Sequence, residues 1–247
     1  MDYILLLAVV PPLFLMHYVY SLDKIEKEPR GLITKLILLG MASCIPAGII
    51  ESLLCGILYN IMDPESLPAL LIENFLIIAA AEEGVKLWVT KRTWKDPAFN
   101  YRFDGVVYAV AAAIGFALLE NVMYVVSSDG GLMVGLMRAV TSIPGHCTFG
   151  VFMGLFYGEA KLASVRGDEA LARHLMKKAY HIPILLHGFY DFILSTPYDF
   201  MIIVFYAYIF ILYKYAKKRI QIAAASDEPL APPPPENYFF NERNPFI

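Results

Sequence analysis

Apolar residues fall in long blocks separated by short polar stretches. A block of about 17–25 apolar residues has the length of a membrane-crossing helix. The pattern predicts about seven of them, Tyr3–Tyr20, Leu32–Tyr59, Pro68–Val89, Gly105–Val126, Ala139–Tyr157, Ala179–Leu194 and Tyr198–Tyr215. The second is overlong and carries Pro46, which predicts a tilt or a break there. Gly150, Gly154 and Gly158 recur at every fourth position, and the Ala80–Gly84 and Ala111–Gly115 pairs repeat that spacing. Such faces let helices approach closely in lipid. The predicted fold class is all-α, a polytopic transmembrane helical bundle.

Composition and charge sharpen this picture. Hydrophobic residues make up 58% of the chain and charged residues 17%, against roughly 25% charged in soluble domains. The mean hydropathy is +0.55. With the N-terminus outside, residues 21–31, 90–104, 158–178 and the chain from Ala216 lie inside. Of the 20 Lys and Arg, all but Arg138 fall in those segments or the adjoining helix ends. The positive-inside rule therefore favours an outer N-terminus and an inner C-terminus, in a multi-pass protein of the cell membrane. The first block begins with Asp2 and lacks a cleavage site, so it reads as a span rather than a leader. Residues 1–216 form the expected membrane domain. Residues 217–247 read as a basic, then proline-rich, disordered inner tail, because Ser226–Pro229 and Pro232–Pro235 do not continue a helix. Cys44, Cys55 and Cys147 lie in apolar blocks and read as packing residues. The expected partner is the lipid bilayer, with no nucleic acid.

Ionisable residues inside membrane spans are expensive and usually face an interior or a wet cavity. Glu82, Glu83, Glu120, His146, His187 and Asp191 all lie within predicted spans. At about 1.5 Å of rise per residue, Glu82 and His187 lie roughly 14 Å from the inner boundary, His146 roughly 18 Å, Asp191 near 20 Å and Glu120 near 24 Å. They share one layer deep in the bilayer. His187 and Asp191 are four residues apart on one face, so the carboxylate is placed to orient the imidazole. Lys86 stands four residues from Glu82 and three from Glu83, so it is placed to neutralise one and leave the other as a base. Glu51, Asn74 and Ser142 read as packing hydrogen-bond formers.

Taken together these segments resemble the PrsW family of intramembrane proteases. The resemblance rests on Glu82-Glu83-Gly-Val-Lys86, Phe116-Ala-Leu-Leu-Glu120-Asn121, Pro144-Gly145-His146 and His187-Gly-Phe-Tyr-Asp191, with Asp23-Lys-Ile-Glu26-Lys27-Glu28-Pro29 before them. The wider superfamily, with the CAAX prenyl endopeptidases and the APH subunit of gamma-secretase, shares the paired glutamates, an FxxxH or FxxxE motif and an Hxxx(Asn/Asp) motif. The resemblance implies cleavage of a single-pass membrane protein, such as the first cut of an anti-sigma factor in envelope stress signalling. It implies catalytic roles for Glu82, Glu83, His146, His187, Asp191 and Glu120, with Lys86, Asn121 and Phe116 in support. No serine or cysteine is placed as a nucleophile, since Cys147 points about 100° away from His146 around its helix. Water activated by Glu82, without a metal, is the expected chemistry. Zinc held by His146, His187 and Glu82 is the alternative. Two other readings fit the same residues: a divalent-cation transporter, which would be expected to show internal repeats, and a non-catalytic membrane scaffold.

Overall fold

The computed structural model describes residues 2–127 and 131–231. Helix α1 spans Asp2–Leu22 and α2 spans Arg30–Tyr59. Helix α3, Leu67–Leu71, continues through a π-helical stretch, Ile72–Ile78, into α4, Ala79–Thr90. Then come α5 (Asp104–Ser127), α6 (Gly131–Val140), α7 (Ser142–Val165), α8 (Glu169–Ser195) and α9 (Met201–Ala225). Among the described residues the only extended pairing is an isolated antiparallel bridge between Tyr101 and Pro229.

Helix α5 is the central post. Every residue from Asp104 to Ala117 is buried. Small residues let its neighbours close on it. A Cβ on Gly154 of α7 would lie 2.4 Å from the Val106 Cα, and one on Gly115 of α5 would lie 2.1 Å from the Ile37 carbonyl oxygen of α2. The glycine stripe of α7 is therefore seated against α5, and the Ala111–Gly115 face against α2. Pro46 does not break α2. Cys44 and Ala47 on either side of it are buried against Phe116, and that packing carries the helix through the missing hydrogen bond.

Large apolar side chains stay exposed along α2 (Leu38, Ile45, Ile49, Leu53) and α9 (Ile203, Phe210, Ile211). Contiguous exposed apolar surface of this kind suits lipid. Among the described residues, Arg30–Tyr59, Asp104–Ser127 and Leu132–Val165 are long and apolar enough to cross a membrane, and Val9–Leu22 is a shorter apolar helix.

The structure departs from the sequence pattern in three places, one being residues 158–178, read as an inner loop, where α7 runs on to Val165 and α8 starts at Glu169. The stretch before Ala139, taken as part of an outer loop, is helical, and Arg138 sits in α6. Its apolar residues recur at helical spacing, and one polar side chain in the stretch does not offset that. The start of the expected disordered tail is also ordered. Helix α9 runs to Ala225, and residues 226–230 pack on the segment before α5. Arg102 N–H donates to the Glu228 carbonyl, Leu230 N–H to the Asn100 carbonyl and Phe103 N–H to Asp227 Oδ1. Extended backbone that cannot continue a helix satisfies its polar groups by this pairing instead. The Pro232–Pro235 run lies outside the described residues.

Candidate active site

Four helices bring the predicted polar residues together. Glu82, Glu83 and Lys86 come from α4, Glu120 and Asn121 from α5, His146 from α7, and His187 and Asp191 from α8. Glu82, Glu83, Lys86, His146 and His187 are all at most 5% exposed. Asp191 and Glu120 are partly exposed, with side-chain exposures of 23% and 14%.

The Lys86 ammonium is the hub. It donates to Glu82 Oε2 at 2.9 Å, to Glu83 Oε1 at 2.8 Å and to His146 Nδ1 at 3.0 Å. It also lies 4.3 Å from the centre of the Phe116 ring. The expectation that Lys86 would pair with one glutamate and leave the other free is thus corrected. One turn of helix places both carboxylates within reach of the same three-donor group.

Hydrogen-bond partners assign the imidazoles. An ammonium can only donate, so His146 Nδ1 accepts and its Nε2–H donates to Glu120 Oε2, 2.8 Å away. Arg138 pins that carboxylate at 2.7 Å and donates from Nε to Asn121 Oδ1 at 2.9 Å. His187 faces carboxylates with both nitrogens: Nδ1 lies 3.0 Å from Glu83 Oε1 and Nε2 lies 3.0 Å from Asp191 Oδ2. Both nitrogens therefore donate. The His187 ring stacks on Phe149, at 4.8 Å between centres and 20° between planes, and meets His146 edge-on at 5.3 Å. These contacts leave each ring little freedom to turn.

A cavity of about 460 Å³ borders this cluster. Glu82, Glu120, His146, His187 and Asp191 line it, while Glu83 and Lys86 do not. Five lining residues were read from the sequence as something else, Cys44 and Ser142 among them as packing groups. Glu51 of α2 and Asn74 of the π-helical stretch were read as packing groups, and Arg138 as an outer-loop residue. Glu51 Oε1 is buried without a hydrogen-bond partner. Asn74 donates to the Leu70 carbonyl and accepts from Ser195. The signal for Glu51 was present, a lone carboxylate in a long apolar block. Asn74 reaches the cavity through a π-helical turn, which often marks a functional site and is not legible in side-chain periodicity.

The profile of one protein family, described as "PrsW family intramembrane metalloprotease", matches residues 28–216. The chain belongs to the PrsW family. It is similar to the curated "Protease PrsW" of Clostridioides difficile, 35% identical over 212 residues that cover 85% of this chain and 86% of that one. It is also similar to "Protease PrsW" of Oceanobacillus iheyensis, 32% identical over 219 residues that cover 87% of this chain and 95% of that one. No solved structure matches it. Membership in the PrsW family, together with the apolar helices, supports a membrane-embedded protease.

The family description names a metal, and the donors here test it. Glu82, Glu83, His146 and His187 each bring a donor atom within 4.8 Å of the others. Two imidazoles with carboxylates suit zinc, and Glu83 Oε2 is buried without a hydrogen-bond partner. The Lys86 ammonium, however, stands among these donors and takes a lone pair from Glu82, Glu83 and His146 alike. The site as built fits an ammonium. A metal ion on the same lone pairs requires Lys86 to withdraw.

Proposed function

We propose that the protein is an intramembrane endopeptidase that hydrolyses a peptide bond of a membrane-anchored protein with water activated by Glu82. One observation carries this reading. Of the adjacent carboxylates, Glu82 borders the cavity, and Glu83 and Lys86 are sealed behind it.

The steps follow from the positions. Lys86 holds Glu82 as a carboxylate, and Glu82 takes a proton from water as the water oxygen attacks the scissile carbonyl carbon. A tetrahedral oxyanion forms. His187, braced by Asp191 and Glu83, exchanges one of those hydrogen bonds for the oxyanion and stabilises it. His146, fixed by Glu120, assists by holding Lys86 and through it the Glu82 carboxylate that takes the proton. As the carbon–nitrogen bond breaks, the proton on Glu82 passes to the leaving amine. The products are an acid and an amine, and the Glu82 carboxylate is restored.

The charge pattern supports a cell-membrane protein of about seven crossings with the N-terminus outside. In that topology Met123, Tyr124, Leu194 and Ser195 extend the cavity toward the outer face. This suits a substrate that enters from the outer side and is cut near the middle of its span. A single-pass anti-sigma factor, cut first in envelope stress signalling, is the proposed substrate. Ala170 is exposed at the start of α8, on the side this topology places inside. An impermeant thiol reagent added to intact cells should leave Ala170→Cys unlabelled, and labelling there would overturn the topology.

A second reading has the family description behind it: zinc held by His146, His187 and Glu82 after Lys86 moves aside. Purified protein with single-pass candidate substrates separates the two. Phenanthroline removes transition metals and leaves calcium and magnesium in place. The glutamate reading expects an unchanged cleavage rate. Loss of cleavage that added zinc restores would establish the metal reading instead. Metal flux in liposomes without any peptide product would make the protein a transporter.

A further inference from the structure

A second acidic cluster lies at the other end of α5, remote from the cavity. Asp23 and Glu28 come from the connection between α1 and α2, and Asp104 from the first residue of α5. Their exposures are 3%, 2% and 1%. One carboxylate oxygen from each lies within 4.8 Å of the others. Oxygen ligands around a calcium ion at about 2.3–2.6 Å can be no farther apart than about 5 Å, so the spacing suits a shared hard cation.

The surrounding hydrogen bonds leave acceptors over. Asp104 Oδ2 accepts from the Asn100 and Tyr101 backbone N–H groups at 3.0 and 2.7 Å. Glu28 Oε2 accepts from the Tyr108 hydroxyl. Asp23 Oδ2 is buried with no hydrogen-bond partner. So is Asn100 Oδ1, whose amide nitrogen is turned to Glu26 at 2.9 Å. The nearby Lys27 ammonium is directed at the main-chain carbonyls of Tyr20 and Asp23, not at the carboxylates. Buried acceptors without donors are costly, and a cation satisfies several at once.

We infer that Asp23, Glu28 and Asp104 form a binding site for a hard divalent cation that ties the first connection to the N-terminus of α5. The site is separate from the Glu82 cluster and does not depend on the protease reading. Its donors are all oxygens, which selects calcium, magnesium or manganese over zinc. The bound ion would also steady the C-terminal strip, because the segment that caps Asp104 is the one that holds Asp227 and Glu228.

Acidity supports this. Burial lifts Asp23 to about 6, opposed by Lys27 and reinforced by Asp227 and Glu26. Burial lifts Glu28 to about 7, opposed by the bonds from Tyr108 and Asp104 and reinforced by Asp23 and Glu26. For carboxyls raised in the fold, the stabilising contribution is complete below the unfolded values near 4 and is lost as pH rises through about 6–7.

The test uses the full chain in detergent with terbium, a hard-ion probe that a nearby tyrosine sensitises. The Tyr108 hydroxyl on Glu28 is placed to do so. The inference expects terbium emission that calcium displaces. Asp23→Asn and Glu28→Gln should each weaken calcium at least about tenfold, as loss of a charged ligand does, and Glu82→Gln should leave it unchanged. Without calcium, Asp23→Asn should melt at or above the wild-type temperature, since it removes a buried like charge, and calcium should no longer raise that temperature. Emission that is absent from the wild type, that persists unweakened in both variants, or that is lost in Glu82→Gln would overturn the site. If Asp23→Asn fails to fold, Glu28→Gln decides by the same measurements.

Discussion

Glu82→Gln is expected to lower peptide cleavage by roughly 10² or more while the protein stays folded, the factor a positioned general base commonly contributes. The amide keeps the size of the carboxylate and can still meet Lys86, so the four-helix junction should hold. What it loses is the capacity to take a proton from water beside His146 and His187. Initial rates on a validated single-pass substrate, with gel filtration in detergent as the check on folding, measure this. Asp191→Asn should cost less, because Asp191 lies 3.0 Å from His187 and in the proposed mechanism orients it without accepting the proton. A Glu82→Gln protein that cleaves at the wild-type rate would end the glutamate mechanism, even for a working protease.

Lys86→Met should be the most destabilising substitution in the site. The ammonium is fully buried and holds two buried carboxylates and one imidazole. Removing one partner of a buried ion pair costs about 3–5 kcal/mol, because the remaining charge is stranded. For a chain of this size that corresponds to a drop of roughly 10 °C in Tm. Pairing it with Glu83→Gln, which removes one stranded charge, should recover part of the loss without restoring cleavage. Thermal unfolding followed by tryptophan fluorescence measures both. A single variant that melts with the wild type would show that Lys86 does not hold the carboxylates together.

Much of the site was legible because it depends on local periodicity. His187 and Asp191 meet because residues four apart share a helix face. Glu82, Glu120 and His146 could be assigned to one layer because rise per residue converts sequence position into depth. The glycine stripe of α7 pointed to a close neighbour, and α5 is that neighbour. Glu51 was weighed and assigned to packing, since one carboxylate in an apolar block does not say which way it faces. Arg138 was placed in a loop, yet it pins Glu120 from α6.

By itself the sequence determined most of the long helices, which ionisable residues lie within them, and the family. Block length, helical spacing and ordered motifs act over short stretches of chain, so no partner is needed to read them. Tertiary structure decided what depends on how each helix is rotated against its neighbours. It put Glu82 on the cavity and Glu83 behind it, and it turned Lys86 onto His146 across the α4–α7 contact. A π-helical turn adds a residue to the local repeat and so shifts facing by about 100° relative to an α-helix, which side-chain periodicity does not report. The docking of Asp227 and Glu228 beside α5 was likewise decided by long-range backbone pairing. That pairing depends on which polar groups the packed helices leave unsatisfied, and only the assembled bundle specifies those.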